Sequence, residues 1–193
     1  MNRYGHIGWR IVALVAFAGT AVLAVILSRV PAVTDPAAGA ACPASGLQAW
    51  LGLGGGTTAG TYYTLEFTNV SNRSCRLYGY PQVSAYADTQ VARGRAPVQV
   101  GSDAVRDTSV RPRPVMLPPG ATAHAVLRVA ETGSLQSQGC SEMTAEELRV
   151  SVPDAGRPAF VPVRVPVCVQ PGHAFLAIQA IQARPGVPGY LMP

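Results

Sequence analysis

The sequence predicts an all-β domain of two packed sheets standing behind one apolar N-terminal helix. Three observations carry that expectation. Apolar side chains recur at every second position from Cys42 onward, Gly/Pro/Asn/Asp clusters punctuate the runs, and residues 11–28 hold no charge. All four cysteines, Cys42, Cys75, Cys140 and Cys168, follow the uncharged run. A membrane-targeting segment ahead of an even cysteine count places the globular part outside the cytoplasm with its thiols paired.

Residues 7–10 extend the 18 positions of residues 11–28 close to the ~20 that a helix needs to cross a bilayer. Tyr4 and Trp9 stand where interfacial aromatics belong, and Arg3 and Arg10 favour a cytoplasmic N-terminus. Arg29, on the far side, weakens that asymmetry without reversing it. A cleaved signal peptide would carry a small-x-small site close behind a shorter apolar region. Here the first such site, Ala38-Gly39-Ala40, comes well after Arg29, and Gly39 holds the place where a lipoprotein has a large aliphatic residue before Cys42. The expectation is a single-pass cell-membrane protein with its C-terminal domain outside the cytoplasm; secretion after cleavage is the alternative. Residues 1–30 then form the cytoplasmic tip and transmembrane anchor, 31–41 a Pro/Ala linker, 42–170 the exported domain and 171–193 a C-terminal tail.

The exported part, about 150 residues, is long enough for one hydrophobic core. All 15 basic residues are arginine, which codon usage in a GC-rich genome explains better than an arginine-specific role. Beyond the three that flank the apolar run, 12 Arg face 10 Asp plus Glu, a net charge of +2. Nucleic-acid binding calls for a clustered basic stripe, and none is present.

The strands follow in order. In residues 61–69 (TYYTLEFTN), Tyr63, Leu65 and Phe67 share the inward face, while Tyr62, Thr64, Glu66 and Thr68 point out. Residues 121–129 place Ala123, Ala125, Leu127 and Val129 inward, with Thr122, His124 and Arg128 outward. Leu148, Val150 and Val152 alternate with Arg149 and Ser151, and Val161, Val163, Val165 and Val167 with Pro162, Arg164 and Pro166. Proline cannot donate to a ladder, so this last strand belongs on a sheet edge. Seven or so short strands separated by turn signals predict an immunoglobulin-like β-sandwich. Thr144-x-x-Glu147 has the form of a capping box but precedes a strand, so it caps one turn at most. Gly52-x-Gly54-Gly55-Gly56 opens no helix and precedes no lysine, so it reads as a hairpin turn rather than a phosphate loop.

Hairpin geometry favours one of the three disulfide connectivities. If residues 47–53 and 61–69 fold about position 57, Cys42 comes opposite position 72 and within reach of Cys75. Folding residues 147–152 and 158–163 about position 155 likewise brings Cys140 near Cys168. Pairing across the two sheets remains open from sequence alone.

Reactive constellations are sparse. His6 precedes the anchor, His124 sits on an outward strand face, and His173 flanks a Pro-Gly turn. No G-x-S-x-G elbow accompanies them. Zinc needs closely spaced ligands, and copper needs soft ligands brought together; the cysteines are far apart, and Met116, Met143, His124 and His173 are scattered. No catalytic, cofactor-binding or metal-ligating residue is assigned. Tyr62, with Arg76 and Tyr78, forms a candidate recognition surface, since Tyr and Arg dominate hot spots. Asn69-Val70-Ser71 and Asn72-Arg73-Ser74 match the glycosylation pattern but read as turn residues.

Leu65-x-Phe67-Thr68-Asn69-x-Ser71, Cys75-x-Leu77-x-Gly79-Tyr80-Pro81-x-Val83, Leu117-x-Pro119-Gly120-x-x-Ala123 and a late Cys168 together resemble the domain of unknown function 4232 family. The likeness runs from about Cys42 to Gln170. It implies an exported, disulfide-bonded actinobacterial β domain, often behind a membrane anchor or lipoprotein signal, and implies no activity. Within the motif, Gly79 allows an unusual backbone angle, Pro81 fixes a bend, and Tyr80 braces the sheet corner through packing and its hydroxyl.

The expected function is a non-catalytic binding or interaction module at the bacterial cell envelope, its partner a protein or a glycan. An exposed aromatic patch on one sheet would support that reading. A pocket holding His124 or His173 beside a carboxylate would favour an enzyme, and a domain with neither would be a spacer.

Overall fold

The computed structural model describes residues 39–91, 94–133, 139–170 and 174–184. The anchor, most of the linker, His6 and His173 lie outside the described residues. Among these residues no helix is long and apolar enough to cross a membrane. A 3-10 turn, Ala44–Gly46, precedes the strands β1 (Leu47–Thr57), β2 (Gly60–Asn69), β3 (Cys75–Leu77), β4 (Gln82–Val91), β5 (Gly94–Val100), β6 (Val105–Asp107), β7 (Val115–Leu117), β8 (Thr122–Ala130), β9 (Glu142–Ser151), β10 (Ala159–Cys168) and β11 (Leu176–Gln179).

The strands form a five-stranded sheet in the order β1-β2-β8-β11-β6, a four-stranded sheet in the order β10-β9-β4-β5, and a small β3-β7 pair. All pairings are antiparallel except that between β11 and β6. Period-two patterning puts one side of each large sheet into a common core. Leu65, Phe67, Ala125, Leu127 and Ile178 enter it from the five-stranded sheet, and Val83, Ala85, Leu148, Val150 and Val161 from the four-stranded one. Each fully buried Leu, Val or Phe contributes about 1.5–3 kcal/mol relative to exposure. The architecture is all-β and β-sandwich-like.

Both disulfides join the cysteines that hairpin geometry pairs: Cys42 with Cys75 and Cys140 with Cys168. β10 is an edge strand with Pro162 and Pro166 exposed, as its prolines require. All four inward positions assigned to β8 are buried.

Four expectations need correction. The glycines at 52, 54, 55 and 56 are not the hairpin turn: they lie within β1, and the chain reverses at Thr58–Ala59. A register shift between Leu51 and Gly54 absorbs the extra length. Thr144 and Glu147 cap nothing, because β9 runs through both. The domain does not end at residue 170. β11, within the stretch assigned to a tail, lies between β8 and β6, and Phe175, Leu176, Ile178, Ala180 and Ile181 are buried at 0–1% exposure. Nor does it begin at Cys42, since the end of the linker is laid against β3: Arg76 N–H donates to Ala40 O at 2.8 Å.

Candidate binding face

The turn after β2 shows how this end of the domain is set. Asn69 is buried at 0% exposure. Its Nδ2 donates to Arg73 O and Leu117 O, both at 2.8 Å, and its Oδ1 accepts from Ser71 N–H at 3.0 Å and Ser71 Oγ at 2.7 Å. It is a turn-forming residue that ties the loop to β7. Gly79 adopts φ +96°, the left-handed region that favours glycine. Tyr80 Oη donates to Val110 O at 3.0 Å, and the Arg106 guanidinium lies 5.6 Å from its ring centroid. The tyrosine braces the corner as its motif implies.

The structure divides the three residues of the expected recognition surface. Tyr62 lies near the start of β2, opposite Gly55 and Arg128. Arg76 and Tyr78 lie beyond the other end of that strand, seven residues or ~23 Å away along β2 alone. Arg76 pairs with Met116 on β7 and donates from Nε to Gly39 O at 3.2 Å, and Tyr78 is exposed nearby in sequence. The arginine beside Tyr62 is Arg128.

The aromatic surface assembles elsewhere, on the outer face of the four-stranded sheet. Register sets Phe160 (β10) opposite Arg149 (β9), which faces Ser84 (β4); the next row holds Pro162, Glu147, Tyr86 and Gln99. The Phe160 and Tyr86 rings meet edge to face over β9, with centroids 6.2 Å apart and planes at 81°. Such a pair is worth about 0.5–1.5 kcal/mol beyond its buried area. Phe160 nevertheless remains 52% exposed.

One flank of this face is held by Asp103. Its Oδ1 accepts from Ser84 Oγ at 2.6 Å and Gln99 Nε2 at 2.8 Å, and its Oδ2 from Gln82 Nε2 at 3.1 Å. The Ser84 hydrogen bond, against some desolvation and aided by Gln82, Gln99 and the Arg149 charge, holds the carboxyl below its usual range. The other flank is a cleft of about 270 Å³ beside Tyr86, with Asp88, Glu146 and Glu147 on its walls. Ala145 and Leu148 both face the core, so Glu146 and Glu147 both come to the outer side. The face thus offers an aromatic pair, Arg149 in the row of Phe160, and carboxylates at the rim.

His124 stands on the outer face of the five-stranded sheet, opposite Glu66. Burial lowers its pKa from 6.5, Glu66 partly opposing, and its Nδ1 is buried without a hydrogen-bond partner. The four cavities described among these residues are lined by neither His124 nor Glu66. Met116, Met143 and His124 fall on three different sheets. Among the described residues, no cluster of His, Cys, Asp and Glu could hold a metal ion.

These features define a class: a disulfide-stapled all-β domain that presents a polar and aromatic sheet face. More particularly, the chain belongs to the family described as Domain of unknown function (DUF4232), whose model matches residues 42–181 and so includes β11. No curated protein and no solved structure matches the chain.

Proposed function

We propose that this protein is a non-catalytic binding module of the cell envelope, an immunoglobulin-like β-sandwich held outside the cytoplasm by an N-terminal membrane helix. The observation that carries the reading is the Tyr86–Phe160 ring pair on the outer face of the four-stranded sheet, with Phe160 half open to solvent and Arg149 paired opposite it. Exposed large apolar groups beside polar partners mark interaction sites, and Tyr and Arg are the residue types that anchor them. The partner is an envelope protein or a glycan: rings stack on either, and the rim carboxylates accept hydrogen bonds from amides or sugar hydroxyls.

The test uses the full-length protein in its own membrane, with a photo-crosslinking residue at position 160 and a control at the exposed Asn72. A discrete adduct at 160 and none at 72 is expected. Phe160→Ala is expected to weaken retention of that protein or of isolated wall glycan about tenfold or more. Equal crosslinking at both positions, with retention unchanged in Phe160→Ala, sinks the reading.

A further inference from the structure

A second recess lies where β1 and the β9–β10 hairpin approach from opposite sheets. It is a slot of about 290 Å³ whose floor and walls include Phe67, Leu47, Val150 and Val152. It exists because the side chains meeting there are short: Ala44, Ala49, Ala155 and Ala159 all line it. Interiors are close-packed, and a gap forfeits the dispersion contacts its lining would otherwise make. A hydrocarbon chain restores them.

The slot is also pre-formed. Ala44 N–H donates to Ala155 O at 2.8 Å, fastening its two rims together. The Cys42–Cys75 bridge fixes the chain two residues before Ala44. On the other rim, the turn is shaped by Asp154 at φ 62° and Gly156 at φ 96°. A ligand entering a fixed slot avoids the cost of ordering loops.

One charged residue lines the slot, Arg157, and its guanidinium has no hydrogen-bond or ion-pair partner among the described residues. A lone unpaired cation at the mouth of an apolar recess complements an anion on the end of an apolar tail. We propose that the slot binds a single acyl chain bearing an anionic head group, a carboxylate or a phosphate. The position of the slot in the chain fits a membrane source. Ala44 and Ser45 come shortly after the linker, whose residues 31–38, ahead of the part laid against β3, reach at most about 29 Å; this supporting point alone rests on the anchor reading above.

The experiment reconstitutes the full chain in phosphatidylcholine vesicles with one of two photoactivatable probes, a diazirine fatty acid or a diazirine phosphatidylglycerol, and maps the labelled peptides by mass spectrometry. Label on residues 44–49 and 150–159 is expected, and the probe that gives it identifies a free acid or a phospholipid as the source. Ala49→Phe, which fills the slot, is expected to lower that label about tenfold. Arg157→Glu, at an exposed turn where folding is not at stake, is expected to lower it for both anionic probes and raise it for a diazirine alkylamine. Label confined to residues 11–28, or unaltered by Arg157→Glu, overturns the proposal. Because Phe160 and Tyr86 line no part of the slot, Phe160→Ala leaves this labelling unchanged, which separates the two readings.

Discussion

β1 and β10 are both edge strands of stapled hairpins, but they are kept from pairing with foreign strands by opposite means. β10 exposes Pro162 and Pro166, which have no N–H to offer. β1 carries neither proline nor charge from Leu47 to Thr57. It is bent instead, by the irregularity between Leu51 and Gly54, and its glycines accept the neighbouring strand closely. A Cβ at Gly54 would stand 2.6 Å from the Tyr63 ring, so the tyrosine of β2 lies across the bare backbone opposite it. One edge is blocked by chemistry and the other by shape. Only the first kind leaves a legible mark, since proline at alternate positions reads as an edge and a glycine run reads as a loop.

The largest test of the comparison removes the staples. The loops closed by Cys42–Cys75 and Cys140–Cys168 are of similar length, with separations of 33 and 28 residues. The unfolded-chain contribution is therefore nearly the same, about 3–4 kcal/mol for each. Replacing either pair by alanine is expected to lower stability by that amount in denaturant titration. A difference above about 1 kcal/mol between the two variants would locate an asymmetry in the folded hairpins themselves. A step smaller asks whether the open end of the β1–β2 hairpin depends on its loop. Asn69→Ala deletes four hydrogen bonds and strands the buried Leu117 carbonyl, an expected loss of about 2–3 kcal/mol. A loss under about 0.5 kcal/mol would show that solvent replaces those bonds.

The smallest effect is one of pH, and it too acts on the β1–β2 side. Burial depresses the His124 pKa, so below 6.5 the unfolded chain takes up a proton more readily than the folded one. The contribution is present above 6.5 and lost as the pH falls through the folded value. Thermal melts between about pH 7 and pH 5 are expected to slope downward in the native protein and to flatten in His124→Gln. Asp103 and Asp107, both depressed from 3.8, add a separate loss at lower pH that this variant retains. A slope unchanged by the substitution would remove His124 as its cause.

What was readable followed from local chemistry. The valine alternation around Pro162 and Pro166 and the cysteine pairing each depend on residues near one another in sequence or joined by one hairpin, whereas the Tyr80 brace, whose partner Val110 is 30 residues away, was readable from its motif. β11 was missed because Leu176, Ala177 and Ile178 are buried on both faces and so show no alternation, while the prolines that follow suggest a tail. β6 and β7 are three residues each, too short for a period. The aromatic sheet face was illegible for a different reason. Phe160 and Tyr86 meet only because β9 lies between β10 and β4, and strand order across a sheet is not written in either segment. Of the tyrosines expected to act together, Tyr62 lies near the start of β2 and Tyr78 beyond its far end.

Each cysteine is bonded to the one nearest it along the chain, first with second and third with fourth. The two loops neither interlock nor nest. For a polypeptide threaded N-terminus first into an oxidising space, the partner of each thiol is the next to arrive, so vectorial oxidation in order of emergence yields the native bonds directly. On such a route neither bridge has to be broken to make the other, and the sequential connectivity requires no shuffling step.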